Sequence, residues 1–190
     1  MKFHSTKNKS YQVSFEEAVF KSLPPDNGLF YPNALPKLEP DWFENLKAMS
    51  KTEIGLKVAS QFIEDEIPTD RLERIIEETI DFDIPLKKVS NQIAALELFH
   101  GPTWAFKDVG ASFLSRCMAY FIEQSNREIM ILVATSGDTG GAVAAGFFGI
   151  PGIQVKILYP KGKVSEIQRK QLTTWGGNIT AYEVAGTFDD

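Results

Sequence analysis

Three strand-like stretches, the apolar run Ile129–Ala134 and the segments 153–159 and 178–183, recur through the second half of the chain, with helix-like stretches at 141–148 and 165–175 between them. That alternation limits the fold more than any other feature. Strands separated by helices join as right-handed βαβ units, and such units build a parallel sheet. The unbroken apolar character of Ile129–Ala134 predicts a strand buried on both faces. A further short strand is expected at 94–99, and after the break His100-Gly101-Pro102-Thr103 a helix is expected from about 108 to 123. In an open parallel sheet ligands sit at the carboxyl ends of the strands. Segments 103–108 and 135–141 both follow strands and are candidates for one crevice. The fold class is therefore α/β, with a parallel sheet of βαβ units.

The first ninety residues read differently, and two regions are expected, 1–90 and 91–190. Ser14-Phe15-Glu16-Glu17 is a capping box that opens a short helix through Phe20. The stretch 23–32 is too rich in Pro and Gly for helix. Helices are predicted at 41–47, 52–64 and 69–80, the last two with apolar stripes (Ile54, Val58, Phe62; Leu72, Ile75, Ile76, Ile80) that read as core. The N-terminal region is thus expected to be mainly helical. At the other end, Gly186-Thr187-Phe188-Asp189-Asp190 looks like a helix start with no helix after it, so the chain is expected to be a fragment of a longer protein.

Composition removes several classes. A net charge of −5 lacks the clustered basic face that nucleic acid requires. No apolar run approaches the roughly 20 residues of a membrane helix, and the N-terminus has no apolar segment typical of a secretory signal. The single cysteine, Cys117, has no partner for a disulfide and no companions for a metal site; its apolar helical surroundings predict a buried structural thiol. No metal ligands are assigned, and a cytoplasmic protein that binds neither nucleic acid nor membrane is expected.

The chemistry concentrates in two places. The first is the turn Thr135-Ser136-Gly137-Asp138-Thr139-Gly140, which leads from an apolar strand into an Ala/Gly-rich helix. An aspartic protease needs its Asp-Thr-Gly on an all-β frame with a second aspartate, and the chain has no second copy. A serine protease needs Ser where Thr139 stands and a different frame. An anion cradle fits: small residues let N–H groups approach a ligand, the helix start adds partial positive charge, and Ser136 and Thr139 add hydroxyls. Asp138 is itself anionic and is better directed at a cation, a hydroxyl or a heterocycle. A capped turn with no ligand remains open. The second place is Lys107, at the start of a helix where the dipole disfavours a cation. That field, with burial against Trp104 and Phe106, would favour the neutral amine that a nucleophilic lysine requires. Asp108 works against this, and a solvated lysine remains open. A neutral lysine facing an anion cradle points to an imine with pyridoxal phosphate.

The segments "FKDVGASFLSR", "ATSGDTGGAVA" and "LYPKGKVSEIQRKQLTTWGGNI", with the opening "YQVSFEEAVFKSLPPDNGLFYP", resemble threonine synthases in order and spacing across nearly the whole chain. The resemblance implies an incomplete tryptophan-synthase-β-like pyridoxal-phosphate fold. It implies conversion of O-phospho-L-homoserine and water to L-threonine and phosphate. Lys107 matches the lysine that carries the cofactor as an imine and later moves the Cα proton. The turn of Thr135, Ser136, Gly137, Asp138, Thr139 and Gly140 matches the loop that receives the substrate carboxylate. The resemblance places Asp138 where many relatives carry asparagine near the cofactor ring hydroxyl, and the adjacency of Phe106 to Lys107 leads to the expectation that Phe106 packs at the cofactor. Lys161, Lys163 and Ser165 either bind the substrate phosphate or open a solvated helix. The family's glycine-rich loop for the cofactor phosphate lies further along than residue 190, so the chain alone is expected to bind cofactor weakly and to be inactive. A phospho-lyase that releases phosphate without making threonine, and a non-enzymatic α/β interaction module, are the alternatives.

Overall fold

A computed structural model describes residues 1–125 and 127–187. The chain forms two compact units, Met1–Ile80 and Asp81–Asp190. Of the cap-like stretch 186–190, residues 188–190 lie outside the described residues.

The first unit combines helices with a small sheet that the sequence reading does not anticipate. Strands β1 (Phe3–Ser5), β2 (Gln12–Val13) and β3 (Phe30–Pro32) pair antiparallel in the order β2-β1-β3. Strands of two or three residues are too short to show a period-two pattern. Helices α1 (Phe15–Lys21), α2 (Pro40–Asn45), α3 (Lys51–Ile63) and α4 (Thr69–Thr79) follow the predicted spans closely. In α4 the buried residues are Leu72, Ile75, Ile76 and Thr79, the spacing of one helical face. Gly55 brings α3 close to α4, since a Cβ there would lie 2.6 Å from Ile76 Cγ2. Both Ser14 and Ser50 close capping boxes, with Glu17 and Glu53 respectively. Helix α1 has a second cap from far along the chain: Glu66 accepts the N–H groups of Phe15 and Glu16, both at 2.9 Å.

The second unit begins with an antiparallel hairpin, β4 (Leu86–Lys88) with β5 (Ala94–Leu96). The expected strand at 94–99 is therefore real but shorter, and it is not part of the parallel sheet. Helix α5 (Lys107–Ser125) follows, then β6 (Ile129–Ala134), α6 (Asp138–Phe147), β7 (Ile153–Pro160), α7 (Glu166–Thr173) and β8 (Ile179–Val184). The strands pair parallel in the order β6-β7-β8, the predicted βαβ pattern. Ile153, Val155, Ile157, Ala144, Phe147 and Cys117 form its core, all essentially inaccessible. The expectation that β6 is buried on both faces does not hold: Met130 and Leu132 are 66% and 67% exposed. β6 is an edge strand, and one face of the sheet is open.

Helices α5 and α6 meet through small residues. A Cβ on Gly146 would lie 2.9 Å from the Ala111 carbonyl oxygen, so the helices pack almost backbone to backbone there. Arg116 Nη1 donates to the Gly146 carbonyl at 2.7 Å. This contact ties the helix that carries Lys107 to the helix that grows from the 135–140 turn.

Candidate functional site

The segment before Lys107 is held by Asp108. As residue two of α5, Asp108 turns inward and is 3% exposed. Its carboxylate accepts the Thr103 N–H at 2.9 Å and also the Thr103 hydroxyl. Gly101 is required beneath it, because a Cβ there would lie 2.6 Å from Asp108 Oδ2. Trp104 has φ of +61°, a left-handed conformation costly for a bulky residue. Its N–H donates to the Gly101 carbonyl at 3.1 Å, which closes the loop around it.

The consequence for Lys107 differs from the expectation. Trp104 and Phe106 are 73% and 60% exposed, and Lys107 is exposed too, not buried against them. Successive helical residues point about 100° apart, so with Asp108 committed inward, Lys107 points out. Gly110, one turn further on and exposed, has nothing within 4 Å of where a Cβ would stand. Phe99, His100 and Trp104 line a hollow of about 410 Å³ nearby in the chain.

In the turn, buried and exposed residues divide the labour. Thr135, Gly137 and Gly140 are buried, whereas Ser136, Asp138 and Thr139 are exposed. The Thr135 hydroxyl accepts the N–H groups of Gly137 and Gly140, each at 3.0 Å, and donates to the Gly137 carbonyl at 3.2 Å. Thr135 thus shapes the turn from within, a role the sequence reading does not separate from ligand contact. Gly137 adopts φ of +152°, which disfavours any side chain. Gly140 fits against Leu172, whose Cδ2 would be 2.8 Å from an added Cβ. The first N–H groups of α6, on Asp138 and Thr139, have no intrahelical acceptor by helix geometry, and with the exposed Ser136 and Thr139 they are the groups of the turn that could accept an anion.

Asp138 has a partner that the sequence reading misses: Gln168 Nε2 donates to Asp138 Oδ1 at 3.0 Å. The Ser165-x-x-Gln168 capping box is legible in the sequence, but this second bond, 30 residues back along the chain, is not. Ser165 itself is engaged as the N-cap of α7, accepting the Gln168 N–H. Lys161 and Lys163 are exposed.

The two places meet through Thr103. Gln171 of α7 donates to the Thr103 carbonyl at 3.3 Å, and the Thr103 Cβ lies 3.9 Å from the position of a Cβ on Gly141, in the first turn of α6. The segment leading into Lys107 therefore packs against the first turn of α6, which follows the 135–140 turn, and against α7. Among the described residues there is no group of His, Cys, Asp and Glu able to hold a metal, and no helix is long and apolar enough to cross a membrane.

Residues 2–80 match a family model described as threonine synthase N terminus. The chain is 40% identical over 189 residues to the threonine synthase of Escherichia coli (strain K12), covering 100% of this chain and 44% of that protein. The crystal structure of threonine synthase from Escherichia coli superposes with a TM-score of 0.92 at 40% identity, covering 100% of this chain and 44% of that one. PLP-bound threonine synthase from Brucella melitensis superposes at 0.91 with 36% identity, covering 100% and 42%. The chain spans less than half the length of the proteins that it matches.

Proposed function

The chain corresponds along its whole length to the N-terminal portion of threonine synthases, and on that premise we propose that it is the lysine-bearing part of a pyridoxal-phosphate-dependent threonine synthase. The reaction is conversion of O-phospho-L-homoserine and water to L-threonine and phosphate. The observation that supports this reading is the packing of Thr103, just before Lys107, against Gly141 in the first turn of α6 and Gln171 of α7, which brings that segment beside the helix that grows from the 135–140 turn.

The residues present fit the lysine-linked end of the cofactor. Lys107 offers an exposed amine, and Gly110 leaves open space one turn away. Pyridoxal phosphate, when bound, supplies an electron sink that acidifies the substrate Cα proton. Lys107 holds the cofactor covalently through Nζ. The same Nζ, as a free amine, would be the base that takes the substrate Cα proton. Ser136 and Thr139, with the first N–H groups of α6, hold the substrate carboxylate, and the helix start favours its charge. Thr135, Gly137 and Gly140 keep that turn in shape from below. Phe106 would lie beside the cofactor, and the Asp138 oxygen not bonded to Gln168 would be the one available to the cofactor ring hydroxyl. Lys161 and Lys163 are available to the substrate phosphate. The chain alone contributes one side of the site and is inactive by itself; it acts in the cytoplasm.

Borohydride reduction of the full-length enzyme with pyridoxal phosphate bound, followed by peptide mapping, tests this reading. A pyridoxyl group on Lys107 is expected, and Lys107→Ala should lower turnover by at least about a thousandfold. Absence of label on Lys107 would overturn the assignment in favour of a binding module. Release of phosphate from phosphohomoserine without threonine would make the enzyme a phospho-lyase.

A further inference from the structure

We propose that Gln168 is a positioning residue for the 135–140 turn: it holds the Asp138 carboxylate against α7, so that Ser136, Thr139 and the first N–H groups of α6 are left to a ligand. The inference rests on the reading of that turn as a carboxylate site and deepens it. An aspartate in the first turn of a helix competes for the site it stands in. Its side chain can fold onto nearby N–H groups, and its charge repels an incoming anion at short range. Something must therefore fix where that charge points.

The Gln168 carboxamide does so with both ends. Its Oε1 accepts the Ser165 N–H at 3.1 Å, closing the capping box of α7. Its Nε2 donates to Asp138 Oδ1 at 3.0 Å. The amide group is planar, so anchoring the oxygen at the start of α7 aims the nitrogen at Asp138. Gly137 completes the arrangement, because a Cβ on it would collide with the Gln168 amide. A capping box is served equally by Glu or Gln. Only Gln also has a donor, and Glu would set a second carboxylate against Asp138. The choice of amide over acid at 168 is thus explained by Asp138 and not by the cap. Through this residue the turns after β6 and β7 are linked.

Three substitutions separate positioning from capping. Gln168→Glu keeps the cap acceptor and removes the donor, Gln168→Ala removes both, and Ser165→Ala weakens the cap without touching Asp138. In the 190-residue chain, the ¹H–¹⁵N resonances of 136–140 report the turn and the thermal midpoint reports the cap. Gln168→Glu should melt within about 2 °C of the parent yet shift the 136–140 resonances. Ser165→Ala should lower the midpoint and leave those resonances in place. In the full-length enzyme, Gln168→Glu should raise KM for phosphohomoserine by about tenfold or more while kcat falls less. Unmoved 136–140 resonances in Gln168→Glu would overturn the proposal, as would a KM change that follows only the melting temperature. The resonance readout decides the matter even if the enzyme proves to catalyse another reaction.

Discussion

Cys117 lies midway along α5 and is fully buried, and that burial pushes its thiol up to about 12. The thiolate is the reactive form, so at pH 8 only about one molecule in ten thousand has it. Native protein at pH 8 should take up under about 5% of one equivalent of iodoacetamide in an hour, and a full equivalent in urea; rapid native labelling would contradict the buried placement. Cys117 was legible because a lone cysteine among Met, Ala and Phe on a helix has one plain reading. Lys107 and Asp108 were half legible. Their residue types mark a helix start, but which of two neighbours turns inward depends on the bonds of Asp108 to Thr103. Asp138 was the least legible, since its direction is set by an amide that arrives only when α7 packs beside α6.

Elements were legible wherever the sequence carries a cap or a long period. Ser14 opens the helix that its capping box announces, and α4 shows its apolar face directly; the boxes that Ser50 and Ser165 close are of the same kind. The strands β1 to β3 escape because pairing, not pattern, defines them. Helix α1 shows the same limit from the other side. Its local box is readable, but the carboxylate of Glu66, which accepts two N–H groups of its first turn, comes from 50 and 51 residues away. Seven-residue helices are marginal alone, so this remote cap should matter. Glu66→Ala should lower the stability of Met1–Ile80 by about 1–2 kcal/mol in urea titrations followed by the helical signal. Glu66→Gln, which keeps one acceptor, should lose less. Equal stability of all three proteins would show that α1 is held by its local box and packing alone.

At the scale of the molecule, the sheet of the second unit has helices on one face, although its edge strand β6 is apolar on both. Ile153, Val155 and Ile157 are buried beneath helices, while Met130 and Leu132 on the opposite face stand exposed on edge strand β6. Parallel sheets in α/β proteins are covered on both sides, and the sequence of β6 is apolar on both. That is why the sequence reading predicted double burial and the 190-residue chain does not display it. The chain matches 44% of its relatives' length, and a fully apolar β6 makes sense in a protein that covers the second face. The substitution Leu132→Asp separates the two situations. In the 190-residue chain it should change stability by no more than about 0.5 kcal/mol, as an exposed position does, and should reduce binding of the apolar dye ANS. In a protein of the relatives' length that covers this face, the same substitution should cost about 3 kcal/mol or more, because the carboxylate would then be buried without a partner. Equal, small effects in both proteins would mean that the face stays open to solvent and that the apolar pattern of β6 serves another purpose.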